Sequence, residues 1–414
     1  MNPSIHDSLE DPEALRAAVA ATEFPPASPV YVNNHIHTVY SFSPYTPAKA
    51  VLLSKQAGLS TCGIMDHDSV AGTRQFIEAG RIVGIRTTIG FEVRASFAGT
   101  PLEGKRINNP DQPTMAYMAL HGIPHTQIDA CDRYLAPYRK LRLERDRLMT
   151  ARLSEVAEGA ELDFDRDVLP ISRYEEGGTV TERHLLFAFA GKIMAAHPLG
   201  RDLTDYVEQG LGIALSPTQR QRLGDPVNPH GQYDLLGVFK SSLMDRFFIP
   251  AGEECPPVRE LIDFARSIGA ISAYAYLGDV GESVTGDKKA QTFEDSYLEL
   301  LFDTLSDLGF DAVTYMPSRN TPEQLRRVKA LCDLRGLMQI SGEDINSSRQ
   351  SFVCKALENP EFANLITATW ALIGHEEAAT RDLSLAITAP GTRERLPDLE
   401  DRIAHYAALA KNES

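Results

Sequence analysis

Residues 61–94, TCGIMDHDSVAGTRQFIEAGRIVGIRTTIGFEVR, contain one complete strand–helix–strand pattern. A short apolar run at 61–65 predicts a strand, and the amphipathic run at 72–84, bounded by glycines, predicts a helix. A second apolar run at 86–93 predicts the next strand. Strands that alternate with helices in this way are typical of parallel β/α units.

The same alternation extends along the chain on both sides of this stretch. It predicts strands at 30–32, 270–276, 311–315 and 337–341, and helices at 47–58, 258–269, 293–309 and 321–336. Residues 98–250 interrupt it with helical patterns at 135–162 and 184–196, although 115–120 resembles a strand. We therefore expect a helical lead-in and linker at 1–28, a β/α domain formed by 29–97 and 251–350, a mostly helical insertion at 98–250, and a helical segment at 351–414 packed on the domain.

Composition narrows the class of protein. The formal charge is -16, with 43% hydrophobic residues, which disfavours binding to a nucleic-acid polymer because phosphate backbones require clustered Lys and Arg. No apolar run is long enough to span a membrane, and the acidic N-terminal residues lack the features of a signal peptide. The five cysteines form no CxxC pair, so we expect a reducing, cytoplasmic location. Serine-hydrolase, P-loop and dinucleotide motifs are absent from the sequence.

Polar residues that ligate metals recur just after the predicted strands, where parallel β/α folds place their sites. They are His35, His37, Asp66, His67, Asp68, Glu92, His121, Asp279, Glu343, Asp344 and Asn346, and they are accompanied by Arg94, Ser318 and Arg319. Each of them alone is compatible with an ordinary structural role, such as a turn, a helix cap or a salt bridge. Their recurrence at successive strand ends favours a metal site.

The spacing of His35 and His37 has a direct geometric meaning. Residues i and i+2 of a strand point the same way, so both imidazoles can reach one cation. Imidazole and carboxylate ligands together favour Zn, Mn or Fe. A carboxylate such as Glu92 can bridge two cations, and paired metals are suited to phosphate-ester displacement.

The order of these motifs resembles that of the PHP family, named for polymerase and histidinol phosphatase domains. The matching stretches are HIHTVYS (35–41), GIMDHDSVAG (63–72), GFEVR (90–94), ALHGI (119–123), TERHLLFAFA (181–190), GFDAVTYMPSRNTPEQ (309–324) and ISGEDIN (340–346). The resemblance implies a distorted (β/α)7 TIM-like barrel with a helical insertion, two or three metals, and hydrolysis of phosphate esters of small metabolites or nucleotides.

The resemblance also implies roles for individual residues. His35, His37, Glu92 and Asp344 would hold one metal, with Glu92 bridging, and His121 and His184 would complete a second. His67 matches a ligand of a third metal. At three family positions this sequence differs: Phe42 replaces an aspartate, Asn346 replaces a histidine, and Tyr276 replaces another histidine, near which Asp279 is a candidate replacement ligand. We therefore predict two divalent ions (Mn, Zn or Fe) and a third site that is absent or weak.

These assignments predict a metal-dependent phosphoesterase that acts on a small anionic substrate. His67 and Asp66 are the candidates for catalysis, while Arg319, Arg94 and Ser318 are the candidates for substrate binding. Lys288 and Lys289 are weaker candidates, more simply explained as a solvated loop. Two other interpretations stay open: the same metals used by a hydrolase or lyase on a carboxylated or sugar-like metabolite, and a metal-bound binding module without enzymatic activity.

Overall fold

The computed structural model describes residues 9–279 and 292–412, so Lys288 and Lys289 lie outside the described residues. One seven-stranded sheet follows the order of the chain. Its strands are β1 (Val32–Ile36), β2 (Thr61–His67), β3 (Arg86–Ser96), β4 (Met115–His121), β5 (Ile271–Ala275), β6 (Ala312–Tyr315) and β7 (Met338–Ser341). The predicted α/β class is confirmed.

The sheet is mixed, whereas uniform β/α units predict only parallel strands. Strands β1 to β3 are parallel to one another, as are β5 to β7, but β4 is antiparallel to both β3 and β5. The chain enters β4 from turns at 97–114 without a helix. Parallel neighbours need a long crossover, usually helical, so the chain returns in the opposite direction here.

The two edges of the sheet approach each other, which curls it. Ile36 forms a parallel bridge with Ile345, just beyond β7. The amide of His37 donates to the Ile345 carbonyl at 2.9 Å, and the amide of Ile345 donates to the His35 carbonyl at 3.1 Å. No continuous ladder joins β1 to β7 within residues 9–279 and 292–412, and a closed TIM-like barrel stays a prediction.

Helices surround this sheet, and sequence signals fix their ends. In the helix Pro322–Arg335, for example, Thr321 and Gln324 form a capping box at the start, and Gly336 adopts φ 64° at the end, which glycine tolerates. The helices are α1 (Pro12–Ala20), α2 (Pro47–Gln56), α3 (Thr73–Val83), α4 (Ile128–Ser154), α5 (Glu182–Ala196), α6 (Arg201–Asp205), α7 (Pro217–Leu223), α8 (Gly231–Phe247), α9 (Val258–Ser267), α10 (Leu298–Leu308), α11 (Pro322–Arg335), α12 (Ala363–Arg381), α13 (Pro390–Arg395) and α14 (Leu399–Asn412).

The insertion has a hydrophobic core of its own. Helices α4 to α8 contribute to a cluster that includes Met149, Phe189, Leu235 and Phe239, separate from the larger cluster around the sheet. The predicted boundary of the insertion at residue 98 differs from the structure, since β4 belongs to the sheet. In the described residues, no helix combines the length and apolar character needed to cross a membrane.

Candidate metal centre

Five predicted metal ligands converge where the strands end. His35 and His37 lie at the end of β1, His67 ends β2, Glu92 lies in β3, and Asp344 follows β7. Their donor atoms form two groups within which all atoms lie within 4.8 Å of one another. These groups are His35, His37 and Asp344, and His37, His67 and Glu92.

The two groups share His37 and are in contact. His37 Nε2 lies 3.2 Å from His35 Nε2 and 3.1 Å from Asp344 Oδ1. Glu92 Oε2 lies 3.1 Å from His67 Nδ1 and 3.8 Å from His35 Nε2. Nitrogen and oxygen donors at this separation, largely buried, suit Zn, Mn or Fe ions. Glu92 lies between histidines of both groups, as a bridging carboxylate requires.

Asp66 holds the segment that carries the two histidines. Its carboxylate accepts hydrogen bonds from the Thr38 amide, the Thr38 hydroxyl and the Ser41 hydroxyl, each at 2.6 Å. The Ser41 hydroxyl lies 3.2 Å from His37 Nδ1. Asp66 is buried and does not line the adjoining cavity. It is therefore placed to position His37, rather than to contact a substrate as a catalytic group.

The electrostatics favour the metal-binding forms of His35, His67 and Asp344. For His37, burial favours the neutral imidazole, but the hydrogen bond and charge of Asp344 outweigh it and raise the pKa above its usual value. Burial, together with the charge of His37, lowers the pKa of His35 to about 4, so the imidazole is neutral near pH 7 and its lone pair is available. Burial also lowers the pKa of His67 well below its usual value, helped by His37 and Arg142. Burial opposes ionisation of Asp344, but the hydrogen bond and charge of His37 outweigh it and keep the pKa of Asp344 well below its usual value.

His121 lies outside both groups. Because β4 is antiparallel, His121 pairs with Gly90 of β3, two residues before Glu92. Its Nε2 is buried without a hydrogen-bond partner among the described residues, and its role as a ligand of the second metal stays a prediction. Tyr117, opposite Arg94 on β3, lines the cavity instead, with its ring centroid 5.8 Å from that of His67.

His184 also lies outside the two groups. Its Nδ1 accepts a hydrogen bond from the Thr181 amide at 3.0 Å, in a capping box at the start of α5. Its ring contacts Phe42 edge-on at 5.0 Å between centroids. The capping role that the sequence allowed is present, and the metal-ligand role stays a prediction.

The three positions at which this sequence differs from the family carry aromatic and amide side chains with protein contacts. Phe42 packs against Phe187 and Tyr233 at 5.6 and 5.8 Å between ring centroids. Asn346 Nδ2 donates to Asp344 Oδ1 at 2.7 Å. The Tyr276 hydroxyl donates to Asp295 at 2.5 Å.

Asp279, the candidate replacement ligand, belongs to a loop instead. Its Oδ1 accepts a hydrogen bond from the Phe293 amide at 2.5 Å, and its own amide donates to Asp295 Oδ2 at 3.0 Å. It is in neither metal-binding group among the described residues. The loop contacts account for Asp279 without a metal.

The three predicted substrate-binding residues have protein partners. Arg94 is buried, with its guanidinium 3.1 Å from Glu182 and 3.0 Å from Glu254, so the interpretation of Arg94 as a substrate contact is replaced by an internal ion pair. Arg319 Nε donates to the Leu277 carbonyl at 3.1 Å. The Ser318 hydroxyl donates to Glu343 at 2.6 Å.

A cavity of about 130 Å³ opens beside the metal ligands. His35, His67, Glu92 and Asp344 line one wall of it. The insertion contributes two basic side chains to the same cavity, Arg183 of α5 and Lys240 of α8; the remaining lining residues include Asn108, Tyr117, Tyr276 and Asn346. The basic pair was missed from the sequence because neither residue follows a strand; Arg183 lies in the TERHLLFAFA stretch, where His184 was the residue singled out, and Lys240 belongs to no motif.

A buried network of charges joins the insertion to the sheet. It consists of three arginines and four carboxylates: Arg94, Arg142, Arg145, Asp68, Asp146, Glu182 and Glu254. Arg142 pairs with Asp68, directly after His67, and donates to Glu182 at 2.9 Å. Arg145 reaches Glu182 and Glu254, both at 2.8 Å. These pairs fix α4 and α5 relative to β2 and β3, and so position Arg183.

Comparisons with known proteins identify the fold. A scan against protein-family models finds no match, and a search of curated proteins also finds none. A protein from Bifidobacterium adolescentis, provisionally described as a metal-dependent phosphoesterase, is similar in structure with a TM-score of 0.52 and 20% identity, over 83% of this chain and 98% of that one. An amidohydrolase from Chromobacterium violaceum, solved with bound sulfate and no metal, gives a TM-score of 0.50 and 17% identity over 78% and 90%. The shared fold agrees with the one that the family resemblance implied.

Proposed function

We propose that this protein is a metal-dependent hydrolase that cleaves phosphate esters of small metabolites or nucleotides. The observation that carries the proposal is the convergence of five imidazole and carboxylate groups, four of which line a cavity that Arg183 and Lys240 also line. The fold shared with a described metal-dependent phosphoesterase supports the same conclusion.

Two ions fit the two groups of donors. His35, His37 and Asp344 would hold one ion, and His67 with Glu92 would hold the other, with Glu92 bridging. Bound ions of this kind activate a water molecule and polarise a phosphoryl oxygen. With Phe42 in place of a carboxylate, we propose that the third site is absent.

The chain's own side chains supply the remaining functions. Asp66 and Ser41 orient His37, as carboxylates behind metal-bound histidines commonly do. Arg183 and Lys240, which line the same cavity, bind the phosphate of the substrate by charge-assisted hydrogen bonds. His67 Nδ1 faces Glu92, so a proton transfer by His67, its other predicted role, would use Nε2.

The test combines metal content with activity. Purified protein should hold about two ions per chain, and it should hydrolyse members of a panel of phosphate monoesters. Asp344→Asn should lower both the metal content and kcat, since an amide is a weaker ligand than a carboxylate. Wild-type activity in the Asp344→Asn variant would overturn the proposal. So would purified protein that contains no metal even when Mn, Zn and Fe are supplied during growth and in the assay.

The basic pair is tested separately. Arg183→Met and Lys240→Met should raise KM for phosphate esters about tenfold or more each, because each removes a charged contact. Arg201→Met is a matched control, since Arg201 is exposed on the insertion and pairs with Asp205. An unchanged KM in both cavity variants would remove them from substrate binding.

A second candidate function uses the same centre on a non-phosphate substrate. The similarity to an amidohydrolase favours it, because a metal-activated water can attack the carbon of a carbonyl group as well as the phosphorus of a phosphate ester. Amides, lactones and glycosides therefore belong in the same panel. Turnover of an amide with no turnover of phosphate esters would favour this alternative, and metal binding with no turnover of any substrate would favour a binding module.

A further inference from the structure

We propose that the chain carries a second ligand site, at the opposite ends of the strands from the metal centre. This site binds a small phosphorylated or carboxylated molecule with an apolar body. The site is a cavity of about 480 Å³. It is independent of the proposed hydrolase activity, and nothing in the resemblance assigns it.

The location follows from the strands that border the cavity. Ile271 begins β5, Asp311 directly precedes β6, and Met338 begins β7; all three line it. The metal-centre cavity is lined instead by residues at the opposite ends of the same strands, Leu277 and Gly342 among them. The length of β5, β6 and β7 therefore separates the two cavities.

Four arginines surround the second cavity, within a protein whose formal charge is -16. They are Arg266, Arg335, Arg393 and Arg402, and Asp311 is the only acidic residue among the described residues that line it. Asp311 Oδ1 accepts one hydrogen bond from Arg393 at 2.7 Å, and its Oδ2 accepts from Ser272 at 2.8 Å. The lining of the cavity therefore carries four guanidinium groups and one carboxylate whose two oxygens are already occupied.

The other partners of these arginines lie away from the cavity. Arg335 pairs with Asp303 and Glu299, and Arg266 pairs with Asp263, but none of these carboxylates lines the cavity. Arg335 Nη1 is buried and has no hydrogen-bond partner within the described part of the chain. These pairs therefore leave part of the hydrogen-bonding capacity of Arg335 unused at the border of the cavity.

Arg402 gives a second sign of excess positive charge. Its side chain is largely buried, and its Nη1 donates to the backbone carbonyls of Leu396 and Pro397 at 2.6 and 2.8 Å. Burial, and then the charge of Arg393, lower the pKa of Arg402 below its usual value. Asp398 offsets part of this effect, and an anionic ligand in the cavity would offset more of it.

Apolar side chains form the rest of the cavity. Among them are Phe310, Leu337, Met338, Ile387 and Leu399. An inorganic anion would leave this apolar surface exposed, whereas an organic phosphate or carboxylate would cover it. The chemistry therefore points to an anion attached to an apolar group.

The test uses full-length, metal-loaded protein and phenylphosphonate, a non-hydrolysable anion with an apolar body, in calorimetric titrations. Phenylphosphonate should still bind to Asp344→Asn, in which the metal centre is impaired. It should bind about tenfold more weakly, or not at all, to Arg266→Gln/Arg393→Gln. Both of these arginines are more than half exposed, so the double variant should fold; its thermal unfolding is the check. Inorganic phosphate should bind more weakly than phenylphosphonate at this site.

Arg326→Gln is the matched control. Arg326 is exposed, pairs with Glu361 at 2.8 Å, and does not line the cavity. The affinity of the Arg326→Gln variant for phenylphosphonate should therefore equal that of the wild type. Loss of all binding in Asp344→Asn, or undiminished binding in the arginine double variant, would overturn the proposal and would show that the arginines serve packing alone. Equal affinity for phosphate and phenylphosphonate would overturn the assignment of an apolar ligand.

Discussion

Glu294 makes the stability of this protein depend on pH in a way that one substitution can isolate. Its carboxylate is fully buried and accepts hydrogen bonds from the Leu277 amide at 2.9 Å and the Tyr274 hydroxyl at 3.2 Å. Burial nevertheless raises the pKa of Glu294 from 4.5 to about 7. The folded protein therefore binds a proton at Glu294 more tightly than the unfolded chain does.

The sign of the effect follows from proton linkage. Below about pH 4.5 Glu294 is protonated in both states, and between about pH 4.5 and pH 7 only the folded state keeps the proton, so rising pH removes stability across this window. A raised pKa of this size corresponds to about 3 kcal/mol at pH 8. Glu294→Gln keeps an oxygen that accepts the Leu277 amide and has no charge to bury.

Urea unfolding of the two proteins at about pH 5 and about pH 8 measures this directly. Glu294→Gln should be nearly as stable as the wild type at the lower pH and more stable by up to about 3 kcal/mol at the higher one. Other titrating groups cancel because both proteins carry them. The reasoning would be refuted if the difference in unfolding free energy between the two proteins did not change with pH, or if the variant became less stable relative to the wild type as pH rises.

Three further predictions concern the metal centre and its support. Phe42→Ala should destabilise the protein by about 3 kcal/mol or more in urea unfolding, because it empties a buried aromatic contact; a loss below about 1 kcal/mol would show that the site collapses freely. Asp66→Asn should weaken metal binding about 10–100-fold in competition with a chromogenic chelator, with the ligands themselves unchanged; equal affinity would contradict the positioning role. Removal of metal by chelation should lower Tm, and addition of Zn or Mn should restore it, since ions that bind only the folded state stabilise it; an unchanged Tm would argue against a metal centre.

The part of the site that lies on parallel strands was predictable from the sequence. The spacing of His35 and His37, and the recurrence of Glu92 and Asp344 at strand ends, rest on the two-residue period of strands and on the common direction of parallel ones. The structure brings these four side chains together. Local pattern was sufficient because each residue's position is set by its own strand.

The remainder depends on contacts between distant segments. Reversal of β4 pairs His121 with Gly90, so that His121 lies in neither donor group, and Tyr117 lines the cavity. The sequence of β4 alone does not show its direction. Arg94 meets Glu182, 88 residues further along the chain, so a side chain predicted to bind substrate forms an internal pair. The basic residues at the cavity, Arg183 and Lys240, lie on helices of the insertion, and the strand-end rule does not point to them.

The buried charge network between the insertion and the sheet constrains how this protein can change over evolution. Replacing Arg142 removes the counter-charge of the buried Asp68, at a cost of about 3–5 kcal/mol, which is a large share of the stability of a typical domain. Compensated double changes are rare events, so this surface should diverge slowly. New substrate preferences should therefore arise first through cavity-lining residues outside the network, such as Lys240, while the residues of the buried charge network stay unchanged.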